Sequence, residues 1–130
     1  MNIKILNQLK DNYSYILESK NSAYVSIIDP AESKAHIKYL KDNNLSLENI
    51  FLTHHHNDHV AGVSDLLEKY SNIKVYSPNK SIKSTTDVIK NNMEIKTKLN
   101  SFNVIETPGH ILDHIILHDK ENNILFCGDT

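Results

Sequence analysis

The chain has no arginine: all 14 of its basic residues are lysine. Without a guanidinium fork, bidentate recognition of phosphate or carboxylate is excluded within these 130 residues. Acidic residues number 16, so charge nearly balances, and no clustered basic face suggests a nucleic-acid footprint. The single cysteine, Cys127, excludes an internal disulfide. No apolar run approaches the roughly 18 residues of a membrane span. The first residues, "MNIKILNQLKDNYSYIL", alternate apolar with polar side chains and lack the continuous apolar core of a signal peptide. These absences lead us to expect a soluble, cytoplasmic, monomeric protein with neither membrane nor nucleic acid as partner.

What is present fits one domain, long enough to bury a core. "IKIL" (3–6) and "YSYIL" (13–17) are short β-branched and aromatic runs separated by Asp11-Asn12, the pattern of a hairpin. "AYVSIIDP" (23–30) reads as a third strand. Residues 32–43 carry Ile37 and Leu40 at helical spacing, with Ser33 as a candidate cap. "NIFLT" (49–53) is a buried strand, 63–70 a short helix after Gly62, and 73–77 another strand. Residues 79–92 resist assignment. Runs 93–99 and 102–107 alternate as strands, and 114–118 with 124–128 form a hairpin about the turn 119–123. Strands interrupted by helices predict a mixed α/β sandwich.

The stretch "FLTHHHNDHVAG" (51–62) concentrates metal-ligating side chains. If backbone stays extended past Thr53, His54 and His56 share a face and His55 points elsewhere. Asp58 and His59 follow where the chain must turn toward the helix. Imidazole and carboxylate converging in one loop suit zinc, and also iron or manganese. A solvated polar loop is the bland alternative, as is a purification remnant, though a tag would sit at a terminus. Two further loops follow strands. "ETPGH" (106–110) carries His110 after a Pro-Gly turn, and "FCGDT" (126–130) carries Asp129 after a glycine. Each is weak alone. Together with the first loop they follow strand carboxyl ends, which can line one edge and share a pocket.

The order T-H-x-H-x-D-H, then T-P-G-H, then G-D-T resembles the metallo-β-lactamase superfold. "DNYSYIL", "IIDPAE", "THHHNDHVAG", "TPGH" and "ILFCGDT" together resemble glyoxalase II, the hydroxyacylglutathione hydrolase, across essentially the whole chain. The resemblance implies an αββα sandwich, of which residues 1–130 would be the N-terminal half, a single incomplete domain. The family's sandwich continues past its G-D-T with a further histidine ligand and a helical part that grips glutathione. The resemblance also implies two divalent metal ions, zinc by preference with iron or manganese as alternatives. His54, His56 and His110 would hold the first, Asp58 and His59 the second, and Asp129 would bridge both. Asp58 could also orient the attacking hydroxide, a catalytic role; the motifs assign no residue to substrate binding.

The implied reaction is hydrolysis of a small-molecule glutathione thioester, S-lactoylglutathione giving lactate and glutathione, as in methylglyoxal detoxification. Iron-dependent persulfide dioxygenase chemistry, another hydrolase of the same fold, or an inactive metal-binding fragment are the alternatives. The sequence departs from the family where threonine usually follows the T-P-G-H histidine and glycine stands two positions further: here these are Ile111 and Asp113. A hydroxyl that would support a ligand is thereby lost. His114 is expected to be structural, His36 and His118 ordinary surface or strand residues, and Cys127 a small core residue. An aspartate at position 129, where antibiotic-degrading lactamases often use cysteine nearby, argues against a lactamase.

Overall fold

A computed structural model describes residues 1–130. Two sheets and one helical layer stack as α/β/β. The first sheet has six strands in the order β1-β2-β3-β4-β5-β6: β1 (Asn2–Gln8), β2 (Asn12–Ser19), β3 (Ser22–Ile28), β4 (Ser46–Phe51), β5 (Lys74–Ser77) and β6 (Asp87–Val88). Strands β1 to β3 are antiparallel and β3 to β6 run parallel. Parallel neighbours need crossovers. Helix α1 (Lys34–Asp42) supplies the first; α2 (Asn57–Val60) and α3 (Val63–Lys69) lie in the second. The second sheet, β10-β9-β8-β7, is wholly antiparallel: β7 (Glu94–Lys96), β8 (Ser101–Glu106), β9 (Ile115–Asp119) and β10 (Ile124–Phe126).

Strand alternation builds two cores from one sheet. Ile16, Val25, Ile27, Ile50 and Val75 face Leu40 of α1 and Val63 and Leu66 of α3. Their neighbours in sequence, Leu17, Ile28, Phe51 and Tyr76, face Phe102, Val104, Ile115 and Leu117 of the second sheet. Each fully buried aliphatic side chain contributes about 1.5–3 kcal/mol. The expected αββα sandwich is thus present as its αββ layers; no helix covers the outer face of the four-stranded sheet. Residues 79–92, unassigned from sequence, hold turns and the two-residue strand β6. No helix is long and apolar enough to cross a membrane.

Three expectations are corrected. Ser33 stands at the start of α1 but caps nothing; its hydroxyl donates to Asp65 Oδ2 (2.9 Å), joining α1 to α3. Cys127 is exposed, because β10 ends at Phe126 and the chain leaves the sheet there. His36 is fully buried in α1, not a surface residue. Its Nδ1–H donates to Glu32 O (2.8 Å), and its Nε2 lies 2.8 Å from Ser14 Oγ, which also reaches Ile28 O at 2.6 Å.

Burial pushes the His36 pKa down to about 4, against a smaller upward pull from the Glu32 carbonyl. The unfolded chain binds this proton near pH 6.5. Between those values the unfolded state holds more protons, so stability must fall as pH falls. The loss should reach about 3 kcal/mol across the window. Urea unfolding of the metal-free chain at pH 7 and pH 5 checks this, with about 2 kcal/mol of the loss expected between those two points. His36→Gln should flatten the pH dependence by its share; an unchanged slope in that variant would refute the assignment.

Candidate metal centre

The site forms where strand ends of both sheets meet. Asp29 follows β3 and Thr53 follows β4, so parallel neighbours deliver them side by side. Asp29 is buried with φ +49°, a conformation aspartate tolerates better than most residues. Its Oδ1 accepts from Thr53 N–H (2.8 Å). Its Oδ2 accepts from Thr53 Oγ1 (2.7 Å) and from His59 Nδ1 (2.9 Å). Since Thr53 Oγ1 spends its proton on Asp29, it accepts from His54 Nδ1–H at 3.0 Å. One carboxylate thus fixes the neutral tautomers of two histidines, with Nε2 of each turned toward the Asp129 carboxylate.

Four donors converge around the first point. His56 Nδ1 lies 3.0 Å from both His54 Nε2 and His110 Nε2. Asp129 Oδ2 lies 3.2 Å from His110 Nε2 and 3.8 Å from His54 Nε2. Three donors converge around a second point: His59 Nε2 is 3.1 Å from Asp129 Oδ1 and 3.7 Å from Asp58 Oδ2. Asp129 offers one oxygen to each group. The structure therefore brings together all six residues singled out from sequence, in the two expected sets. His55 turns away: its Nδ1 pairs with Asp113 Oδ2 at 2.9 Å, so the position that departs from the family pattern is occupied by a partner for the histidine outside the cluster.

The donor chemistry fits divalent cations. Burial and the neighbouring His59 charge, opposed by Asp29, push the His54 pKa down to about 4, so its ring is neutral near pH 7. Bare imidazole nitrogens about 3 Å apart repel one another unless a proton or cation lies between them, and neutral imidazole is a metal ligand. For His59, burial pulls the pKa down, but the Asp29 hydrogen bond and the Asp29, Asp129 and Asp58 charges together raise it. The same acidic surroundings that favour a proton there favour a metal.

Asp129 is placed by backbone as much as by its own side chain. Its N–H donates to His114 Nε2 (3.1 Å), and His114 Nδ1–H donates to Thr107 Oγ1 (2.8 Å). His114, fully buried, therefore ties the G-D-T turn to the loop that carries His110. Gly128 is required between them: its φ is +51°, and a Cβ would stand 2.7 Å from both His114 Nε2 and Thr53 Oγ1. Gly62 meets a similar limit, with a Cβ 2.8 Å from Pro30 O.

The sequence pattern of the metallo-beta-lactamase superfamily matches residues 9–130. The chain belongs to this superfamily. The superfamily includes hydrolases. Solved metallo-beta-lactamase-fold structures superpose on nearly the whole chain. BLEG-1 B3 metallo-beta-lactamase does so with a TM-score of 0.87 at 23% identity, covering 98% of this chain and 72% of its own. ETHE1 from Myxococcus xanthus gives 0.83 at 22%, covering 99% and 57%. TTHA1623 in a di-iron-bound form gives 0.75 at 24%, covering 99% and 72%. These likenesses establish the metallo-beta-lactamase fold.

Within that fold, the structural role expected of His114 is seen in its bonds to Asp129 N–H and Thr107, whereas the roles of Asp29, Asn12 and Thr53 were not read from the sequence. Their signal was position: Asp29 closes one parallel strand as Thr53 closes the next. Asn12, inside "DNYSYIL", reaches Asp58 across 46 residues. It also lines a cavity of about 220 Å³ with Asp11, Tyr13, Tyr15, Asp58, His59 and Asp129.

Proposed function

We propose that this chain carries the metal centre of a thioester hydrolase acting on S-(2-hydroxyacyl)glutathione, with S-lactoylglutathione as the preferred substrate. The observation that carries the reading is the pair of donor groups sharing Asp129. The glyoxalase II resemblance of the flanking segments supports the substrate class. His54, His56 and His110 would hold one metal ion, Asp58 and His59 the other, and Asp129 both. Divalent ions bound there supply a water acidified toward pKa about 7 and a Lewis acid for the carbonyl oxygen.

The chain's own residues do the rest. Asp29 and Thr53 accept from Nδ1–H of His59 and His54, so Nε2 is the atom each ring would offer to a metal ion. Asp58, whose carboxyl is held below the usual carboxylate range chiefly by the Asn12 amide, stays ionised at the cavity rim and orients the attacking water. Water oxygen adds to the thioester carbon, the C–S bond breaks, and the proton released from water ends on the departing thiolate. Thiols have pKa about 8.5, so departure needs no strong general acid.

The test is to strip the chain of metal, load it with zinc and follow thiol release from S-lactoylglutathione. Metal-dependent release is expected. No release from the zinc form, together with oxygen consumption by the iron-loaded chain on glutathione persulfide, would replace this reading with persulfide oxidation.

A further inference from the structure

Asp58 sits on α2, a helix of only four residues, and its side chain is 44% exposed. Packing alone does not fix such a group, and an exposed carboxylate loses rotamer freedom only if something holds it. Its main chain is also short of a partner. The helical donor to Asp58 O would be Gly62 N–H, which donates instead to Pro30 O at 2.9 Å. Asn12 meets both needs. It opens β2, and the tight β1–β2 turn carries it to the site. Its Nδ2 donates to Asp58 O at 3.0 Å and to Asp58 Oδ2 at 2.9 Å. The amide thus ties the carboxylate to its own backbone, and it lies 3.5 Å from His59 Nε2.

We propose that Asn12 is a positioning residue for the second metal ion: it locks the Asp58 carboxylate in the orientation that completes the Asp58, His59 and Asp129 group. The inference rests on the metal reading given above. It makes the N-terminal hairpin, distant in sequence from every donor, a determinant of second-ion occupancy. The first group, His54, His56, His110 and Asp129, receives no hydrogen bond from the Asn12 side chain and should not respond.

Stepwise cobalt titration of the full chain, followed by visible absorption and chelator competition, tests it. In Asn12→Ala the second equivalent should weaken by about 10–100-fold, the range for partners that orient metal ligands, while the first keeps its affinity and spectrum. Asn12→Asp, of the same shape but without the donor, should also lose the second equivalent. An unchanged second step in both variants would overturn the proposal. So would a tighter second step in Asn12→Asp, which would make position 12 a ligand. A metal-free measurement separates this from failure of the metal reading. In the NMR spectrum of the apo chain, one Asn12 side-chain amide proton should move upfield in Asp58→Ala while the other, on Asp58 O, stays. If wild type takes up no cobalt, the metal reading fails and the proposal fails with it. If cobalt binds but neither amide proton moves, the Asn12 contact alone is refuted.

Discussion

Asp129→Ala should strip the chain of both metal ions, whereas His110→Ala should affect only the first and His59→Ala only the second. The asymmetry follows from geometry. Asp129 Oδ2 lies 3.2 Å from His110 Nε2, and its Oδ1 lies 3.1 Å from His59 Nε2. No other side chain belongs to both groups. Metal ions stabilise developing charge by several kcal/mol, and about 4 kcal/mol corresponds to about three decades in rate. Thiol release should therefore fall by at least about 10³-fold in Asp129→Ala. Stability of the metal-free chain should scarcely change, because the side chain is one-third exposed and the His114 bond uses the backbone N–H, which alanine keeps. Elemental analysis after dialysis, with thermal unfolding alongside, measures both. Two equivalents retained by Asp129→Ala would remove the shared-ligand assignment and with it the two-ion reading.

The six candidate ligands were legible in the sequence because their chemistry is distinctive and their loops follow strands. The reason first given for His54 and His56 sharing a point was only partly right. Strand β4 ends at Phe51, two residues earlier than expected, and the histidines lie in a bend leading into α2. What aims His54 is the Thr53–Asp29 chain, not strand alternation. That chain depends on β3 and β4 being parallel neighbours, which local pattern does not reveal. His36 was misread for a related cause. A lone histidine among lysines on a helix looks solvated, and only the packing of α1 over β2 and β3 buries it against Ser14. Cys127 was misplaced because "ILFCG" reads as one apolar run, while pairing with β9 stops at Phe126. Asn12 could not be found from spacing at all, since its partner is 46 residues away.

Asp29→Ala should be the most destabilising single change in the site. Asp29, Thr53 and His59 are all buried, at 3%, 0% and 5% exposure. Truncation removes the acceptor from Thr53 N–H, Thr53 Oγ1–H and His59 Nδ1–H at once. A buried donor left without a partner costs about 1–3 kcal/mol, and breaking a buried charged pair from one side about 3–5 kcal/mol. The three losses share one cavity and will not add independently, so about 3–5 kcal/mol is expected in total. Against a typical stability of about 5–15 kcal/mol, that leaves the fold marginal. Asp29→Asn should fall between, because an amide can accept at one oxygen but turns a second donor toward the others. The coupling gives a sharper check than either value alone. If Asp29 acts through His59, Asp29→Ala combined with His59→Ala should cost less than the sum of the single changes in urea unfolding. Strict additivity would show that Asp29 supports the loop through Thr53 alone and does not hold His59.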